Sequence, residues 1–281
     1  MNNLIPGIQK IKGNNYIIYY IDSLSDEFRK SIRELLSSIC HGINAIQNPE
    51  NKLYSYQKTV EEFLRRYNAS QEKNQNAKSP KHKKGMIGEL LVHIILRLEN
   101  HFELLSPFFN MEERSFRKGF DVLLFDPQLK ELWITEVKSG EPLSLTVQQR
   151  ISKLLSTAKA DLRKRLNEEN QSLWLNAQNA VRNSIASVVT QKDVKQILTR
   201  YSNLSADNQS SSQNHNVILA SVLFSPLSEL VEENTIIKSQ SKIQQEHLFN
   251  KCIILVVQQH TFDEIYQFLS SEVSDGKKSD T

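Results

Sequence analysis

Two short apolar runs, Gly119–Phe125 and Leu132–Lys138, limit the fold more than any other part of the chain. They read Gly-Phe-Asp-Val-Leu-Leu-Phe and Leu-Trp-Ile-Thr-Glu-Val-Lys, with Asp126-Pro127-Gln128 between them. β-Branched and aromatic residues around a turn signal predict two antiparallel strands joined as a hairpin. Yet Asp121, Glu136 and Lys138 lie inside these runs, and a charge in a buried strand is costly unless something pairs with it.

A loop at 127–130 puts Asp126 opposite Glu131, Phe125 opposite Leu132, Leu123 opposite Ile134 and Asp121 opposite Glu136. Opposed side chains share a face, with Cβ atoms about 4.5–5.5 Å apart. Lys138, two residues on, shares that face, and its opposite number is Gly119, which leaves space beside the ammonium. Two carboxylates this close repel unless a cation sits between them. Mg²⁺ is a hard ion that takes oxygen ligands of this kind. A slip of one residue would put Asp121 and Glu136 on opposite faces and remove the site.

The rest of the chain is that of a water-soluble α/β protein. At 281 residues, 39% hydrophobic and 24% charged, it can bury a substantial core. The apolar run Cys252–Val257 is too short to span a bilayer. Met1–Pro6 lacks the basic start and apolar core of a signal peptide, so no membrane role is expected. Two cysteines, Cys40 and Cys252, make no disulfide framework; both read as core packing in a reducing cytoplasm. A net charge of +3 and a pI near 8.7 permit nucleic-acid binding without demanding it.

Residues 1–68 read as an N-terminal α/β module: a strand over 14–22, a helix capped by Ser25 or Asp26, and a second helix over 54–67. Residues 69–84 read as a basic linker, whose Lys78, Lys81, Lys83 and Lys84 read either as a solvated surface or, leading straight into the next helix, as groups that lie on phosphates. The next helix, Gly85–Leu98, is apolar almost all round and so buried. Its Glu89 stands in the first turns, where the helix dipole favours an anion, and Gly88 marks a close approach. His93, one turn on, reads as a packed histidine.

A strand over 102–111, broken by Pro107, leads past Arg114, Arg117 and Lys118 into the hairpin. A long basic helix over 144–166 follows, then helices over 171–188 and 191–200, a polar loop over 201–216, buried strands at 217–224 and 252–257, and a closing helix at 262–269. Residues 85–272 form the main domain, and 273–281 read as a flexible tail.

Glu89 on a helix, Asp121 on one strand and Glu136-Val137-Lys138 on its hairpin partner resemble the PD-(D/E)XK nuclease superfamily. That resemblance implies a restriction-endonuclease-like mixed sheet core flanked by helices. It assigns Asp121 and Glu136, with the Val137 carbonyl, to Mg²⁺ (or Mn²⁺), and Glu89 to a second ion or to water. It gives Lys138 the attacking hydroxide or the phosphoryl charge to stabilise.

The wider layout resembles more closely the HamA family, the nuclease subunits of Hachiman anti-phage systems. It shares with them the Gly-Glu helix, the Gly-Phe-Asp strand, Leu-Trp-x-x-Glu-x-Lys and the long helices after them. That implies a DNA endonuclease working with a HamB-like superfamily 2 helicase.

Other hydrolytic chemistries lack their parts. No His-Asn-His set, zinc cysteine pairs, glycine-rich phosphate loop or nucleophile elbow is present. The alternative from another class is an inactive nuclease-fold subunit that binds nucleic acid or serves assembly.

Overall fold

The predicted hairpin lies at one side of an eight-stranded mixed sheet ordered β1-β2-β3-β8-β7-β6-β5-β4. The strands are β1 (Asn2–Ile5), β2 (Ile8–Gly13), β3 (Tyr16–Ile21), β4 (Glu103–Leu104), β5 (Val122–Asp126), β6 (Glu131–Gly140), β7 (Asn216–Phe224) and β8 (Lys251–Gln259). The helices are α1 (Asp26–His41), α2 (Ile43–Gln47), α3 (Tyr56–Ala69), α4 (Pro80–Glu99), α5 (Val147–Asn167), α6 (Gln171–Arg182), α7 (Val188–Ala206), α8 (Glu233–Gln245) and α9 (Asp263–Ser279). This computed structural model describes residues 2–69, 80–109, 119–168, 171–182, 184, 188–260 and 262–279.

β3, β8, β7 and β6 run parallel, while antiparallel pairs flank them on both sides. β7 is buried along its whole length. A parallel strand covered on both faces requires that unbroken apolar character. One face carries α1, α3, α4 and α9, through Phe28, Phe63, Leu91 and Phe268. The other carries α5, α6, α7 and α8, through Leu155, Trp174, Leu198 and Ile236. The protein is thus a mixed α/β fold with helices on both faces of one sheet.

The hairpin register is the predicted one: Asp126 pairs with Glu131, Phe125 with Leu132 and Leu123 with Ile134. The turn is held by Asp126, whose carboxylate accepts from Gln128 N and Leu129 N at 2.9 and 3.0 Å. Lys130 completes it at φ 54°.

Segment 1–68 shares the sheet and the core with the rest. β3 pairs with β8, and Phe28 and Phe63 join Leu90 in one apolar cluster. α4 begins at Pro80 rather than Gly85, so residues 80–84 are helical; proline suits the first turn, where its missing N–H costs nothing. The predicted strand over 102–111 shrinks to β4, because Phe108 N and Phe109 N bond instead to Ile39 O and Cys40 O. The polar stretch 201–216 is loop only over 207–211 and at His215. α7 runs on to Ala206, and a short 3-10 turn, Ser212–Asn214, is pinned by Asn167 Oδ1 at 2.8 Å. α9 likewise continues through the expected tail to Ser279. Lys78, Arg114, Arg117 and Lys118 lie outside the described residues.

Candidate metal centre

Geometry at the end of β5 follows from how the ladder stops. Leu123 turns its N–H to Ser106 Oγ and its carbonyl to Leu105 N, so Val122, Leu124 and Asp126 face β6. The last rung is Val122 with Thr135. By the alternation of an antiparallel ladder, the N–H and C=O of Val137 point toward a rung that β5 does not supply. Asp121 Oδ2 takes that N–H at 2.8 Å. The Val137 carbonyl is left on the same open edge.

Glu136 and Lys138 lie on the opposite surface of β6 from Val137, facing α5. Glu136 is fully buried. Lys138 Nζ donates to its Oε1 at 2.6 Å and also lies 3.0 Å from Asp161 Oδ2. Arg165 Nη2 donates to Glu136 Oε1 at 3.1 Å and stands 3.1 Å from Oε2, while Nη1 donates to Gly119 O at 3.2 Å. Glu136 Oε2 itself makes no hydrogen bond.

Burial, and then the Asp121 charge, push the Glu136 carboxyl above its ordinary range, although Arg165 and Lys138 pull the other way. Burial alone would lower the Lys138 ammonium. Glu136 outweighs it, with help from Asp161 and Asp121, so that pKa is raised and the lysine stays charged.

Asp121, Glu136 and Lys138 are therefore brought together as the strand spacing requires. Glu89 is carried by α4, which packs on the other face of the sheet from α5. Its neighbour Gly88 packs so tightly on β6 that an added Cβ would meet Ser139 Oγ at 1.9 Å, and Ser139 alternates with Lys138 along the strand. Among the described residues, no three His, Cys, Asp or Glu side chains are grouped to hold one ion. A divalent ion has, from the chain itself, the unbonded Glu136 Oε2, the Asp121 carboxylate and the open-edge Val137 carbonyl. This oxygen set fits Mg²⁺ or Mn²⁺.

His93 is fully buried, as its packed reading required, with its ring edge-on to Phe108 at 5.5 Å. Lys83 and Lys84 turn onto the protein: Lys83 lies over Tyr67, and Lys84 pairs with Glu141 and lies over Phe262. Cys40 is buried and Cys252 partly so, both as free thiols.

Asp161 and Arg165 carry the site's remaining charges, and their place in it was not read from the sequence. They are four apart, hence on one face of α5, but spacing does not say which strand that face meets. α5 itself is well specified, since Thr146 and Gln149 form a reciprocal capping box at its start.

No curated protein matches the sequence, and no helix among the described residues is long and apolar enough to cross a membrane. The family model HamA matches residues 4–271, nearly the whole chain: the chain belongs to the HamA family.

Proposed function

We propose that this HamA-family chain is a metal-dependent deoxyribonuclease of the PD-(D/E)XK kind, the effector subunit of a Hachiman defence complex. The observation that carries the reading is the meeting of Asp121 and Glu136, with Lys138 beside them, where β5 leaves β6. Asp121, Glu136 and the Val137 carbonyl would hold Mg²⁺, with Glu89 acting from the opposite layer through water or a second ion. When bound, the ion supplies a lowered pKa for coordinated water and neutralises charge developing on the phosphate.

The chain's own groups do the rest. Asp121 is held in place by the Val137 N–H. Lys138, kept charged, stabilises the phosphoryl oxygens as negative charge builds. Its contact with Asp161 keeps the ammonium fixed on the α5 side of the strand. A superfamily 2 helicase is the proposed partner, delivering DNA to this edge.

A second reading, an inactive nuclease-fold subunit, draws on Arg165, which already neutralises Glu136. Mn²⁺ calorimetry, combined with DNA degradation in the presence of the helicase subunit, decides between them. Binding that is lost in Asp121→Asn, together with degradation lost in Lys138→Ala, supports the nuclease. Intact DNA and no binding heat in the wild type support the inactive subunit.

A further inference from the structure

Glu136 and Lys138 sit two apart on one face of β6, and Asp161 and Arg165 sit four apart on one face of α5. The charges alternate across the gap: Arg165 meets Glu136, Asp161 meets Lys138, and Lys138 also meets Glu136. A fully buried carboxylate is not left uncompensated, and here both compensating charges come from the protein. Lys138 and Arg165 both donate to Oε1, and Arg165 Nη2 also stands 3.1 Å from Oε2, the oxygen without a hydrogen bond. The other arm of the same guanidinium holds Gly119 O, two residues before Asp121. Arg165 therefore spans both halves of the proposed ligand set.

We infer that Arg165 is the resident counter-ion of Glu136, holding the carboxylate in the ion-free protein and yielding it when a divalent cation binds, while Asp161 keeps Lys138 paired as Glu136 turns to the ion. This rests on the metal site proposed above. A guanidinium does not lose its proton, and a dication on the same carboxylate repels it, so Arg165 must move aside rather than share. The backbone stays, because Leu162 and Leu166 anchor this turn of α5 in the core. Only the side chain, which retains 22% of its exposure, needs to swing.

Mn²⁺ titration calorimetry on the full chain tests this, with melting curves recorded in chelator and in excess Mn²⁺. Arg165→Gln is expected to bind Mn²⁺ about tenfold more tightly than wild type, since removing a neighbouring cation favours another one. It should also melt lower in chelator and recover more on adding the ion. Arg165→Lys, which keeps the charge but cannot fork between Glu136 and Gly119, should bind between the two and serves if the glutamine variant folds poorly. Unchanged or weaker binding in both folded variants overturns the counter-ion role and leaves the metal site standing. No binding by wild type or either variant removes the metal site itself.

Discussion

Asp121 accepts the backbone N–H of Val137 at 2.8 Å, on the residue directly after Glu136. A side chain thus replaces the rung that the β5–β6 ladder lacks. The same bond that ends the hairpin fixes one carboxylate beside the other.

The two functions of Asp121 separate on substitution. Asp121→Asn keeps a carbonyl acceptor for the Val137 N–H and should unfold in urea close to wild type. Asp121→Ala leaves that N–H without its partner and should cost about 1 kcal/mol. Both should lose Mn²⁺ binding by calorimetry. Equal stability of the alanine variant and wild type would show that the bond contributes nothing.

Glu136 is predicted to matter for stability as well as for cleavage. Glu136→Gln leaves Lys138 and Arg165 facing each other without their shared anion. Yet because the fold holds the Glu136 proton more tightly than the unfolded chain does, the neutral glutamine should cost little or stabilise in chelator at neutral pH, which urea unfolding would measure. Lys138→Ala should cost more, because it takes one of two cations from a buried carboxylate. Both variants should abolish DNA degradation, so residual cutting by either would remove it from the proposed machinery.

Acid should act on this protein in two opposite ways. The Glu136 carboxyl holds its proton more tightly folded than unfolded, its pKa being raised from 4.5. Its contribution to ion-free stability is therefore present at low pH and is lost as pH rises through the raised value. His93 and His215 are the reverse: burial lowers both to about 4. Each contributes about 3 kcal/mol near neutrality, lost as pH falls from 6.5 toward 4. Melting curves between pH 4 and 8 should fall on the acid side, and His93→Leu should flatten that limb. Mn²⁺ binding should strengthen with pH and release protons, seen as a buffer-dependent heat that Glu136→Gln removes.

Local chemistry made the hairpin legible: a turn at 127–130 and strict alternation fix which residues oppose. α1, α3 and α5 were legible from their apolar spacing, and α4 from being apolar almost all round. β2 was not, because Ile-Gln-Lys-Ile-Lys-Gly carries its lysines in a strand only partly buried. α8 was not, because only two of its residues, Ile236 and Ile243, are buried, too few to mark a face. The α5 half of the site was hidden for a different reason. Asp161 and Arg165 look like ordinary charges on a basic helix until the crossover from β6 to β7 lays that helix over Glu136.

Gly88 offers the sharpest test of how α4 is seated on β6. In an ordinary helix interior, replacing glycine by alanine stabilises by roughly 1 kcal/mol. Here the new Cβ would lie 1.9 Å from Ser139 Oγ, 2.8 Å from Ser139 Cβ and 3.3 Å from Val222 Cβ. The strand cannot yield, being paired with β7 through Ser139 and Val222 themselves. Gly88→Ala should therefore destabilise, by about 1–3 kcal/mol, as overpacked cores do. Ser139→Ala should not rescue it, because the Cβ contact remains. Ser139→Gly removes both contacts and should restore most of the loss in a Gly88→Ala background. A double-mutant cycle in urea reads this coupling directly, and additive losses would mean that α4 does not rest on β6 at this point.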